Sequence, residues 1–120
     1  MADRVLTISW GAPVHGREER GLEVFNEALG LYGRMQQDGR IESFDVTLCM
    51  PNGGVEGYME LHGSAQQLDA VKEADDFRDM ITDADLIVNR LKLIDGVTGN
   101  GVAKEMARYQ QALSKVPQTA

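Results

Sequence analysis

The amino-acid sequence predicts an α+β domain with the element order βαββαβ and one further helix at its C-terminal end. Two patterns carry this prediction. Residues 41–50 and 57–62 alternate apolar and polar side chains on either side of Pro51-Asn52-Gly53-Gly54, as two strands joined in a hairpin do. On both sides of that hairpin the period changes, and apolar residues recur at spacings of three and four, as on helices with one buried face. Each helix must then cross over between parallel strands, and two interleaved crossovers give a four-stranded antiparallel sheet of spatial order 4-1-3-2.

The first strand is read at Val5–Trp10, where β-branched and apolar residues cluster. Gly11, Pro13 and Gly16 then break it. From Arg17 onward Leu22, Phe25, Leu29, Tyr32 and Met35 mark one helical face, Glu18 and Glu19 suit the positive end of the helix dipole, and Gly39 stops the helix. Ile41–Met50 is the second strand, with Phe44, Val46, Leu48 and Met50 assigned to the core face and Asp45, Thr47 and Cys49 to the other. Gly57–His62 is the third, with Met59 and Leu61 opposed to Tyr58, Glu60 and His62.

Ser64 followed by Gln67 is a capping-box sequence that starts the second helix, whose apolar face is Leu68 and Val71. Asp75 or Asp76 is expected to recap a second helical piece carrying Phe77, Met80 and Ile81. Leu86–Ile94 reads as the fourth strand; Leu86, Ile87 and Val88 are apolar on both faces, so a bulge or a doubly covered segment is expected there. Val102, Met106, Tyr109 and Leu113 form the stripe of the last helix.

The whole is one domain: a core over residues 5–96, a helix over 100–115 and a tail over 116–120. The layout of the core is the ferredoxin-like split βαβ arrangement. With two helices already over four strands, the last helix is expected to dock on a partner rather than at home.

Composition narrows the function classes. The chain has 120 residues, a net charge of −7 and one cysteine. Such a surface repels phosphate backbones, and the densest basic stretch, Arg17 to Arg20, is interrupted by two glutamates, so nucleic acid is not expected as a partner. A single cysteine forms no internal disulfide, no apolar run approaches a membrane span, and no signal-peptide segment is seen. The expected location is cytoplasmic, with no membrane partner. Gly96, Gly99 and Gly101 precede a helix, as in phosphate-binding loops. However, Val102 follows where a Walker loop needs Lys-Ser/Thr, and no further strand completes a dinucleotide fold. These glycines are read as a turn, with Asn100 as the helix cap.

The βαββαβ order, the hairpin "PNGGVEGYMELHGS" and the broken helix "SAQQLDAVKEADDF" resemble the dimeric α/β-barrel superfamily, which includes antibiotic-biosynthesis-monooxygenase-like and YCII-like small proteins. The resemblance covers about residues 5–96. It implies a homodimer in which uncovered sheet faces meet around a cavity. Some members oxidise small aromatic substrates without a cofactor, some cleave haem, and YCII-like members use a His–Asp pair near the sheet. The haem-degrading branch places a His on the second helix, and Ser64–Ala84 has none. No cofactor is expected, and no catalytic residue is carried over from the family.

Candidate site residues follow from the topology. His15, beyond Trp10, and His62 fall at opposite ends of the sheet, so they cannot share a metal within one subunit; the lone Cys49 offers no zinc spacing, and no metal is expected. The open face should carry Asp45, Thr47, Cys49, Tyr58, Glu60 and His62, joined by Arg90 and Lys92 from the fourth strand. His62 is the candidate proton acceptor; Trp10, His15, Tyr58 and Glu60 are the candidate ligand-binding residues. Two readings remain. One is a homodimer binding a small organic molecule, aromatic ones included, of the cofactor-independent oxygenase kind. The other is a non-catalytic interaction module using the sheet face and the C-terminal helix.

Overall fold

A computed structural model describes residues 2–117 of the chain. The elements are β1 (Arg4–Trp10), α1 (Glu18–Gln37), β2 (Ser43–Leu48), β3 (Gly57–Gly63), α2 (Ala65–Glu73), α3 (Asp75–Asp85), β4 (Lys92–Val97) and α4 (Asn100–Leu113). The four strands form one antiparallel sheet in the order β2-β3-β1-β4, which is 4-1-3-2 read from the other edge. The architecture is ferredoxin-like, with helices on one face of the sheet. The last three residues of the expected tail lie outside the described residues.

Alternation sorts each strand. Leu6 and Ile8 of β1 and Met59 and Leu61 of β3 are buried beneath the helices, and α1 closes over them with Val24, Ala28, Leu31, Tyr32 and Met35. The sequence face of α1 is therefore rotated: Tyr32 and Met35 hold their expected places, but Leu22 is 67% exposed. Small Ala28 allows the helix to approach the sheet, and Leu22 is on the side of the helix turned away from Gly21 and Val24, which meet the core. On β2 the expected core face is covered only at Phe44, whose ring meets that of Tyr32 edge-on at 6.1 Å. Leu48 and Met50 are exposed because β2 is an edge strand and no helix reaches its far end.

The capping box at the start of α2 is complete. Ser64 Oγ accepts from the Gln67 amide, and the Gln67 side chain accepts from the Ser64 amide. The helix break follows at Ala74, which is the N-cap of α3. No aspartate caps that helix in the usual way. Asp76 instead accepts from the Phe77 amide and takes both guanidinium nitrogens of Arg40, at 2.7 and 3.0 Å. The Arg40 hydrogen bonds hold the Asp76 carboxyl below the usual carboxylate range. A depressed carboxyl stabilises the fold above its unfolded value of about 3.9 and loses that contribution as pH falls through the folded value. Both side chains are partly solvated, so the contribution is about 0.5 kcal/mol. Asp76→Asn should therefore lower stability slightly at pH 7 and make the loss between pH 4 and pH 2 shallower, as measured by urea midpoints across that range.

The fourth strand starts later than its apolar run. β4 begins at Lys92, and Leu86–Leu91 is a connection that closes the end of the core. Leu86 caps α3, Ile87 is buried, and Val88 bridges to Pro13. That run is apolar because it plugs the space beneath α1 and α3, not because it pairs in the sheet. Arg90, in the left-handed region at φ 56°, turns the chain toward β4.

The glycines after β4 have packing roles. A Cβ on Gly96 would press on Val5, and one on Gly101 would lie 2.7 Å from the Asp3 carbonyl oxygen. Gly99, at φ 53°, supplies the turn and is the N-cap of α4, the place expected for Asn100. Gly101 is the one buried residue of α4. The helix projects from the body: the molecule measures 55 × 37 × 23 Å, and its radius of gyration is 17.1 Å, against roughly 14 Å for a compact chain of this length.

Candidate functional site

The hairpin register builds the site. In β2 and β3, Ser43 pairs with His62, Asp45 with Glu60 and Thr47 with Tyr58. The hairpin loop is held by Asn52, whose side-chain amide donates to the Met50 and Val55 carbonyls while its oxygen accepts from the Gly54 and Val55 amides. Gly53, at φ 79°, allows the reversal. A loop pinned in this way sets which residues face each other across the pair.

Three cross-strand rows result on the sheet face that carries no helix. Lys92, Ser9, Tyr58 and Thr47 form one; Ile94, Thr7, Glu60 and Asp45 the next; Gly96, Val5, His62 and Ser43 the third. Across the last two rows, His62 Nε2 lies 3.1 Å from Asp45 Oδ2. The His62 side chain is 22% exposed and that of Asp45 69%, so the ring is sheltered while its carboxylate partner reaches toward solvent. Glu60 stands beside both, and one donor atom from each of the three lies within 4.8 Å of the others.

A carboxylate on one ring nitrogen of a histidine fixes the tautomer and leaves the other nitrogen as the proton acceptor. With Nε2 facing Asp45, Nδ1 is the atom free to take a proton. From residue types alone His62 has no assigned partner. The signal was present in the turn: counting outward from Asn52 and Gly53 places Asp45 opposite Glu60 and diagonal to His62. Histidine and cysteine spacing brings forward only His15, His62 and Cys49 as metal ligands, whereas the hairpin sets one imidazole and two carboxylates together.

The remaining candidates lie elsewhere. Trp10 shares the helix side of β1 with Leu6 and Ile8, and its ring meets Phe25 edge-on at 6.0 Å. It pairs with Gly57, whose missing side chain makes room for the indole, since a Cβ there would lie 2.7 Å from the ring. Trp10 and Tyr58 therefore sit on opposite faces. His15 is exposed in the loop after β1, at the other end of the sheet from His62. Cys49 lies past the end of β2 and borders a shallow groove with Trp10, Leu22 and Phe25. Of the two basic residues expected on the open face, Lys92 is there and Arg90 is in the preceding connection.

Beneath α1 and α3 is an apolar cavity of about 70 Å³, bordered by Trp10, Phe25, Tyr32, Met80 and Ile87. Burial pushes the Tyr32 phenol up, so it stays protonated there. That volume is below the roughly 150 Å³ that holds a benzene ring. The helix side of the sheet is packed core, and the opposite face carries the polar side chains of the three rows with no helix over them.

No family model matches the sequence, and no curated protein matches it. Solved structures do. A dimeric protein of ferredoxin-like fold from Bacteroides fragilis aligns with a TM-score of 0.59 at 12% identity, covering 79% of this chain and 96% of its own. A protein provisionally described as an antibiotic biosynthesis monooxygenase, from Chloroflexus aurantiacus, aligns at 0.53 and 13%, covering 80% and 93%. SnoaB, a cofactor-independent oxygenase from Streptomyces nogalater, aligns at 0.50 and 15%, covering 82% and 93%. The fold is thus that of ferredoxin-like proteins, with antibiotic-biosynthesis-monooxygenase-like structures among its neighbours, in agreement with the resemblance read from the sequence.

Proposed function

We propose that two copies of this chain meet through their open sheet faces and bind a small organic molecule with an acidic proton, such as a phenol or enol, between them. His62 accepts the proton at Nδ1, Asp45 orients the ring, and Tyr58 and Glu60 border the ligand. A cofactor-independent oxygenase needs such a step, because an electron-rich anion reacts with oxygen more readily than its conjugate acid. The observation that carries the reading is the His62–Asp45 pair, its imidazole sheltered and its carboxylate open to solvent, on a sheet face with no helix over it. The neighbours described as dimeric and as an oxygenase support it. Trp10 and His15 are left out of this site because they lie off the face.

The test has two parts. Light scattering should report twice the 13.2 kDa chain mass, and a panel of phenols and enolisable ketones should be screened by melting temperature and oxygen uptake. The expected result is a compound that raises the melting temperature of the wild type and not of His62→Ala. No response from any such compound, with the dimer intact, would favour the interaction module. Stabilisation by Mn²⁺ or Zn²⁺ that is lost in Glu60→Gln would assign the three side chains to a cation instead.

A further inference from the structure

The last helix carries a stripe that its own subunit does not cover. Val102, Met106, Tyr109 and Leu113 are between 42% and 61% exposed, although a helix of 14 residues gains little stability on its own in water. Their spacings of four, three and four residues keep all four within a band roughly 60° wide at 100° per residue. A helix lying on a globular core shows a broader apolar face; a strict seam of this kind is the width that one other helix covers.

The flanks of the seam fit a second copy of the same helix. Ala103, Gln110 and Ala112 border it and carry no charge, and Glu105 is the one charged residue there. Lys104 and Arg108 stand on the opposite side of the helix, so two copies can meet without bringing like positive charges together. The projection of α4 away from the body leaves its length open to such a contact.

We propose that α4 pairs with the α4 of a second copy as a short antiparallel two-helix seam. In that direction Val102 faces Leu113 and Met106 faces Tyr109, each smaller side chain against a larger one, and the helix dipoles oppose. The parallel direction would set Tyr109 against Tyr109. The contact does not use the open sheet face, so it stands independently of the ligand reading; where both contacts form, the same two copies make them, and the mass stays at two chains.

Cysteine cross-linking tests it on the full chain with Cys49→Ser, which removes the one native thiol. Val102→Cys and Leu113→Cys should link rapidly under mild oxidation when the two variants are mixed, and each should link slowly alone. Lys104→Cys, on the far side, is the control. All three positions are exposed, so the substitutions leave the fold intact. Rapid linking of each variant by itself would overturn the antiparallel pair. Linking of the mixture no faster than the Lys104→Cys control would overturn the pairing altogether.

Discussion

Phe77→Ala should destabilise the protein by about 3–5 kcal/mol. Phe77 is 2% exposed and packs between α3 and α1, its ring 6.4 Å from that of Tyr32. Tyr32 in turn meets Phe44 of the edge strand, so one chain of aromatic contacts ties α3, α1 and β2 together. Removing its end leaves a cavity that neighbours cannot fill, because Tyr32, Leu68 and Val71 are themselves held by the sheet and helices. A small domain has about 5–15 kcal/mol in all, so the variant should unfold at a markedly lower urea concentration. A loss of stability of under about 1 kcal/mol would mean that α3 repacks, and that the broken helix is less firmly seated than its burial indicates.

His62→Ala should lower the turnover of any substrate found in the oxygen-uptake screen by about 10²–10⁴-fold, the usual contribution of a positioned general base. Its melting temperature should stay near that of the wild type, since the ring lies on the open face and not in the core. Asp45→Asn should cause a smaller loss of the same kind, because the amide can still accept from Nε2–H but no longer stabilises the protonated ring. The informative comparison is between kcat and KM. Loss confined to kcat marks proton transfer, whereas loss confined to KM marks a binding role for the imidazole. Unchanged turnover in both variants would remove His62 from the chemistry.

The resemblance rests on element order and on two short stretches, and the solved neighbours share the fold. Identities of 12–15% to the solved neighbours leave too few shared residues to carry over a catalytic group. The His–Asp pair had to come from the register of this chain's own hairpin.

The elements whose signals are local were legible in the sequence. Alternation in β3 is a property of adjacent residues, and its buried and half-buried positions follow the pattern read from it. The capping box of α2 needs only Ser64 and Gln67. The Asn52-Gly53 turn closes the hairpin through bonds within four residues. The start of β4 was not legible, because an apolar run looks the same whether it pairs in a sheet or fills the end of a core, and only the packing of α1 over α3 makes Leu86–Leu91 the latter. The exposed end of β2 likewise depended on how far the helices reach across the sheet. The sequence by itself determined the kinds of element, their order and the two sides of each central strand, since these depend on periodicities of two to four residues. Only the tertiary structure decided that Asp45 meets His62, that Trp10 and Tyr58 are parted by the sheet, and that α4 stands clear of the body. The Asn52-Gly53 turn sets Asp45 diagonal to His62, but the approach of the two side chains to 3.1 Å and the placing of the other segments depend on packing between parts remote in the chain, which no local pattern encodes.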